Sequence, residues 1–418
     1  MLTLLDPDAA ELAKELDGLP LALATAGAYL DQVATSFADC LRLYRASWLR
    51  LLQTSPEVST YEDRQLYSTW QLSLDHIKQQ NELSVKLLQL WAYFDNQDLW
   101  FELLREGSSG GQEWLCQLTA DELSFNEAVR VLCNHGLIDV DKSFEGSGVE
   151  SQGYGMHSCV HSWTVHVVNQ EWDSKMAEVA LECVGRHVPE NNAQHSWLTQ
   201  RRLLRHLSRC WGLIIDGRLG DDGKEWILYN FGYLCSNQGR FDEAEKMYLR
   251  ALQGKEKAWG PEHTSTLDTV NNLGLLYADL GRLDEAEKMY LRALQGKEKA
   301  WGPEHTSTLD TVNNLGNLYK SLGRLDEAEK MYLRALTGYE KALGQKAVKT
   351  YIPALNTTEN MANLFQQTGR VQEAQGLYNQ ALFGVEAVFG RLSDRYQGLV
   401  SALDALRSNS EHDTSCQV

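Results

Sequence analysis

Nowhere in the 418 residues is there a GxxxxGK[ST] loop, the backbone cradle with which P-loop enzymes hold nucleotide phosphates. Gly220 to Lys224 (GDDGK) fails on spacing and runs into Glu225 where a magnesium-binding hydroxyl belongs. The glycine-rich stretch from Ser108 to Gly111 has no lysine, and no apolar strand ending in Asp-Asp precedes residue 18. An ATPase in its own right is therefore not expected, and the chain reads as non-enzymatic. No apolar run approaches the roughly 20 residues of a membrane span. The first residues, MLTLLDPDAAELAKEL, carry acids in place of the basic start of a signal peptide. Positive charge is scarce: 39 Lys and Arg stand against 57 Asp and Glu, a net charge of −18. That balance argues against nucleic acid or an anionic membrane as the main partner. The eight cysteines contain no CxxC pair, which suggests reduced thiols and a cytoplasmic protein.

What is present is a repeat. Residues 241 to 274 (FDEAEKMYLRALQGKEKAWGPEHTSTLDTVNNLG) recur at 283 to 316 with only Phe241 changed, to Leu283. The period is 42 residues from Gly239 to Gly281 and again to Gly323, and a degenerate copy follows at Gly369, 46 residues on. Such a period signals a solenoid, in which each unit buries its apolar face only against its neighbours. In VNNLGLLYADLG, Val270, Leu273, Leu276, Tyr277 and Leu280 fall at helical spacing. Gly281 stands where a helix stop needs φ > 0. Asp284-Glu285-Ala286-Glu287 opens a second helix with acids at its positive end. That helix carries Ala286, Tyr290, Ala293 and Leu294 inward and ends at Gly302-Pro303. A capping-box-like pair, Ser307 and Asp310, predicts the next start. Small residues at Gly274, Ala286 and Ala293 predict close backbone approach, with Leu273, Tyr277 and Tyr290 filling the space between.

Leu273, Gly274, Tyr277, Ala286, Tyr290 and Ala293 resemble the tetratricopeptide signature. The 42-residue period, the Asn-Asn pair, GR(L/F)DEAE and the (W)GPEHTSTL linker resemble the kinesin-light-chain variety of that repeat. The likeness covers roughly residues 225 to 392. It implies four units with atypical ends, Cys235 replacing Tyr in the first, and Ala362 and Phe365 replacing Gly and Tyr in the fourth.

Upstream, DPDAAELAKELDGLPLALATAGAYL (6 to 30) reads as two short helices broken at Asp17-Gly18, with Pro20 in the first turn of the second. GLPLA, and the MHSCVHSW stretch that follows downstream, resemble the C-terminal part of an NB-ARC nucleotide-binding module, with residues 60 to 170 resembling its winged-helix subdomain. FNEAVRVLCNHGLIDVD reads as a helix ending at Gly136 and leading into a strand, with a hairpin turning at Glu145 to Gly148 and returning through GYGMHS. The resemblance implies an adenine contact at Pro20 and a phosphate contact at His157. Ser158 stands where the family motif has Asp, so a locking role for that acid is not implied. The module seen here lacks its phosphate-binding half, which implies a truncated reading frame or a short paralogue acting as decoy or regulator. No cofactor is expected, ADP being the one the resemblance leaves open.

His157, Cys159, His161 and His166 lie within ten residues of one another, but their spacing matches no zinc finger, and an ordinary mix of core and surface is expected. A Cys159–His161 nucleophile lacks a third, orienting group. The DEAEK acids read as a solvated helix face. The asparagines differ. Asn230, Asn272, Asn314 and Asn360 hold one register in all four units, and Asn271 and Asn313 precede two of them. Asparagine is mildly unfavourable inside a helix, so fourfold recurrence needs a reason. Two readings stand side by side: a grip on a peptide's backbone amides, as the resemblance implies, or a ladder bonding neighbouring units. Asn317 differs from its counterpart Leu275, and Ser321 from Asp279, as positions that read a ligand would.

The expected fold class is all-α: a tetratricopeptide α-solenoid preceded by a helical, winged-helix-like region with a small β-hairpin. The expected segments are 1–58 (the GLPLA helices), 59–172 (winged-helix-like), 173–222 (helical connector), 223–400 (four repeats) and 401–418 (a polar, disordered tail). The expected function is an interaction scaffold or sensor of the NLR-like signalling kind, binding a protein or peptide but neither nucleic acid nor membrane. The sequence fixes no oligomeric state. A kinesin-light-chain-like cargo adaptor is the alternative, although residues 1 to 220 lack that family's heptads. A nucleotide-driven switch is a further one, should a P-loop lie upstream.

Overall fold

The computed structural model describes residues 6–16, 20–54, 61–107, 112–141, 151–189 and 196–415, with 47–54, 61–66 and 408–415 described by backbone alone. They form two compact bodies, residues 1–221 and 222–418. Among the described residues no helix is long and apolar enough to cross a membrane.

The N-terminal body begins with α1 (Pro7–Glu15), α2 (Pro20–Val33), α3 (Phe37–Thr54) and α4 (Tyr61–Gln80). Leu12, Leu16, Ala26, Tyr29, Leu41 and Tyr44 form their shared core, joined by Leu72. Then come α5 (Glu82–Trp91), α6 (Phe101–Gly107), α7 (Glu113–Leu118) and α8 (Glu122–Asn134). Asn81 and Asp121 cap α5 and α8 by accepting the N–H of Ser84 and Ser124. Gly136, at φ 64°, ends α8 and releases the chain into β1 (Asp139–Asp141), antiparallel to β2 (Gly153–Gly155). The expected turn at 145 to 148 and the break at Asp17-Gly18 lie outside the described residues. The body closes with α9 (Ser158–Trp163), a π-helical turn at Thr164–Val168, α10 (Ser174–Arg186) and α11 (Ser196–Ile215).

One buried ion pair ties α11 to the segment before α6. The guanidinium of Arg202 donates to both oxygens of Asp98, at 2.8 and 3.0 Å, and stacks 4.0 Å from the Trp100 ring centre. His206 accepts the N–H of Asp95 at Nδ1, so Nε2 carries the proton and donates to the carbonyl of Asp98 at 2.9 Å. Burial pushes the His206 pKa down, which holds it in that neutral form. Gly153 makes room for the pair: a Cβ there would lie 2.1 Å from Asp98 Oδ1.

The C-terminal body is built of helix pairs: α12 (Glu225–Asn237) with α13 (Phe241–Trp259), α14 (Thr264–Asp279) with α15 (Leu283–Trp301), α16 (Thr306–Ser321) with α17 (Leu325–Ala347), and α18 (Ile352–Gln367) with α19 (Val371–Phe389). Within the first three pairs a glycine meets a tyrosine. A Cβ on Gly232, Gly274 or Gly316 would stand 2.6 to 2.8 Å from the ring of Tyr248, Tyr290 or Tyr332. The backbone must come that close for the tyrosine to be buried. Ala286, Tyr290 and Ala293 are buried, as their spacing predicts.

Three details depart from the sequence-based expectations. α16 begins at Thr306 and is capped by His305, whose Nδ1 accepts the N–H of Ser307, so Ser307 is not the cap. His263 caps α14 in the same way, and Asp310 is instead committed to Tyr339. The helical run of α17 continues past Gly344 (φ 81°) into a 3-10 turn at Val348–Thr350, and this extra chain accounts for the 46-residue spacing to the fourth repeat. The tail is not wholly irregular: α20 (Asp394–Ser415) covers most of 401–418 and buries Leu399, Leu403 and Leu406. Leu403 and Leu406 extend the apolar spacing of Leu399 into the start of the otherwise polar segment.

Gly384 and Gly376, both on α19, should respond oppositely to alanine. A Cβ on Gly384 would sit 2.2 Å from the backbone oxygen of Lys349, which cannot rotate aside, whereas Gly376 has open space. Urea unfolding should show Gly384→Ala destabilised by about 1–3 kcal/mol and Gly376→Ala stabilised by about 0.5–1 kcal/mol. Equal effects would contradict this packing.

Candidate functional site

The first helices of the four repeats place their asparagines in two registers. One holds Tyr229, Asn271, Asn313 and Glu359; the next holds Asn230, Asn272, Asn314 and Asn360. All eight are half-buried. The structure links the registers across repeats in a constant sense. Asn272 Nδ2 donates to Tyr229 Oη at 2.9 Å, Asn314 Nδ2 to Asn271 Oδ1 at 3.4 Å, and Asn360 Nδ2 to Asn313 Oδ1 at 3.2 Å. Thr311 also donates to Asn271 Oδ1, at 3.0 Å, and Asn271 Nδ2 reaches Asn272 Oδ1 at 3.4 Å. Asn230, at the head of the series, is engaged as well. Asn317 accepts from Tyr332 Oη at 2.7 Å.

An amide has one acceptor and two donor positions, so this ladder does not exhaust the set. Asn313 serves only as an acceptor and Asn314 only as a donor. The Nδ2 of Asn313 and the Oδ1 of Asn314 thus sit on adjacent residues without a protein partner. A peptide group presents the complementary pair, one carbonyl and one N–H.

Other polar side chains of the pairs serve stacking. Lys255 is buried, donates to Thr269 Oγ1 at 2.9 Å and lies 4.2 Å from the Tyr229 ring centre. Burial pushes its pKa down to about 8. Lys297, its counterpart, pairs with Asp268 at 2.8 Å. In the third repeat the same position is Tyr339, whose hydroxyl donates to Asp310 at 2.5 Å. Burial raises the Asp310 pKa, while the hydrogen bond from Tyr339 acts in the opposite direction.

The DEAEK acids are not merely solvated. Arg282, one residue after the stop glycine, binds Glu285 on its own helix and Glu245 on the preceding repeat at 2.8 Å. Arg324 repeats this with Glu327 and Glu287 (2.9 Å), and Arg370 with Glu373 and Glu329 (2.7 Å). Each guanidinium also covers an aromatic ring, of Tyr277, Tyr319 or Phe365, at 3.7 to 4.2 Å. The signal was present in the sequence, as an arginine and two glutamates recurring at fixed intervals.

In the N-terminal body, Pro20 is the exposed first residue of α2. His157 is exposed and caps α9, its Nδ1 accepting the N–H of Cys159 at 3.2 Å. His161 turns inward, with Nε2 3.1 Å from the carbonyl oxygen of Phe94. Among the described residues no group of three or more His, Cys, Asp or Glu is placed to hold a metal ion.

The glycine–tyrosine pairs and the positive-φ stop glycines describe a helical repeat, and residues 223–299 and 265–341 each match the tetratricopeptide repeat model. Residues 223–341 are tetratricopeptide repeats. A nucleotide-binding leucine-rich repeat (NLR)-like protein of Hyaloscypha variabilis is 25% identical over 286 residues, covering 64% of this chain and 26% of that protein. The chain thus spans about a quarter of that relative's length. Among solved structures, the nearly identical TPR-like repeats of a Podosopora anserina kinesin light chain candidate align at 18% identity. That alignment covers 52% of this chain and 99% of the other, with a TM-score of 0.40. BtubC (BKLC) from P. vanneervenii aligns at 22% identity over 50% of this chain and 79% of its own, with a TM-score of 0.37.

Replacing Asn272 and Asn314 together by alanine removes two ladder bonds across the tetratricopeptide repeats and strands the Tyr229 hydroxyl. Each lost bond costs about 1 kcal/mol, only partly offset by alanine's better helix propensity, roughly 0.5 kcal/mol. The melting temperature should fall by about 2–4 °C. A melting curve that is unchanged or shifted upward would show that the ladder contributes nothing to stability.

Proposed function

We propose that this chain is a non-enzymatic cytoplasmic interaction protein whose tetratricopeptide repeats capture an extended segment of a protein partner, and that it serves in NLR-like signalling. The observation that carries the binding reading is the donor and acceptor left over on Asn313 and Asn314 once the ladder is formed. Two adjacent amides so placed satisfy both polar atoms of one peptide group, whatever its side chain. Affinity from the backbone and selectivity from neighbouring positions is a division of labour that suits a sensor.

The NLR-like setting is supported by the Hyaloscypha variabilis relative and by the GLPLA and MHS stretches with the helices and hairpin between them. Pro20 and His157 are remnants of a nucleotide site in this reading. In this reading they do not make an ADP site by themselves, because the 418 residues contain no phosphate-cradling loop.

Asn313→Asp tests the groove. The carboxylate keeps the oxygen that accepts from Asn360 and loses the free NH2. Against the tightest binder selected from random-sequence peptides, fluorescence anisotropy should show the variant about tenfold weaker, the worth of one hydrogen bond with a stranded partner. Its melting temperature should stay near that of the parent. Equal affinities would remove the amide pair from the site.

A further inference from the structure

Residues 241–280 and 283–322 are identical except at four positions, and three of these lie close together on the first helix: Leu275, Ala278 and Asp279 in the second repeat against Asn317, Lys320 and Ser321 in the third. The structure shows what the exchange does. In the third and fourth repeats a buried tyrosine hydroxyl is satisfied by an asparagine: Tyr332 donates to Asn317, and Tyr378 to Asn363. The second repeat has Leu275 in that place, and a leucine cannot accept. Tyr290, 1% exposed, is left with its hydroxyl unpartnered. One turn along α14 from Leu275 lies Asp279, close enough for its charge to raise the Tyr290 pKa. The carboxylate of Asp279 forms no ion pair, and partial burial raises its own pKa. Leu275 itself is 45% exposed.

We propose that Leu275, Asp279 and Tyr290 form a specificity subsite of the second repeat that takes a lysine or arginine side chain from the partner segment. The subsite rests on the peptide-capture reading above. Leu275 offers an apolar surface for the aliphatic stem of such a side chain. The Asp279 carboxylate, exposed and unpaired, receives the cationic head in a charge-assisted hydrogen bond. The Tyr290 hydroxyl supplies a second polar contact, as an acceptor to the same head group. The third repeat, with Asn317 closing off its tyrosine and Ser321 replacing the acid, offers no such place. Two units of one backbone thereby read different side chains.

The test is selection of random-sequence peptides on the full-length chain and on Asp279→Ser, which installs the residue that the third repeat already carries. The parent should enrich Lys or Arg at one peptide position, and Asp279→Ser should lower that enrichment about tenfold while still capturing peptides. Tyr290→Phe should weaken the same preference with no loss of melting temperature, since its hydroxyl has no bond to lose. Capture without any basic preference, or a preference that survives Asp279→Ser, overturns the subsite and leaves the amide grip standing. Failure of the parent to capture any peptide overturns both.

Discussion

The constraint on which the repeat array depends is that a half-buried amide on one repeat must find its partner on the next. Within a solenoid each repeat has only its two neighbours to bond with. The ladder from Tyr229 through Asn271 and Asn313 answers this with a bond of constant sense, each repeat donating backward to the one before it. The arginines after the stop glycines do the same between successive second helices, reaching back to Glu245, Glu287 and Glu329. Two parallel sets of polar bonds thus fix the rotation of each repeat on its predecessor. Apolar packing alone, being non-directional, would leave that rotation loosely set.

Much of this was legible in the sequence because duplication makes a pattern its own control. Gly281 and Gly323 were readable as helix stops since a left-handed residue must sit where an amphipathic stretch ends, and both have φ of 73°. Gly274 and Tyr290 were readable as a close approach because one is small and the other large in every copy. The helix start was misread. His305 is an uncommon cap, and nothing in Ser307 or Asp310 announces that an imidazole nitrogen reaches the amide first. The tail is polar overall, yet Leu403 and Leu406 continue the helical spacing of Leu399 into its first residues.

The asparagines show where sequence reasoning stops. Their recurrence demanded an explanation, yet an amide that bonds a neighbour and an amide that bonds a ligand look alike in one dimension. Geometry separates them atom by atom: Asn272 is spent at both ends, whereas Asn313 and Asn314 each keep one atom in hand. In the proposed reading, scaffold and site are built from the same residues. The N-terminal body makes a contrasting use of polarity, enclosing Asp98, Arg202 and His206 so fully that their interactions hold segments together.

The extension beyond Gly344 bears on how such an array can change its length. A block of 42 residues duplicated or lost between Gly239 and Gly323 leaves every backward-reaching bond in phase, because each copy finds the same neighbour it had before. The four added residues that carry the chain from Gly344 to α18 break the sequence period once, and the backward bonds of Asn360 and Arg370 are kept across the joint. The fourth repeat is therefore tied to its place by a joint of its own, and α20 lies beyond it. Unequal exchange needs matching sequence, which the near-identical copies share and the divergent last one does not. Copies can be added to the interior of the array at the 42-residue period without rebuilding the joint to the fourth repeat.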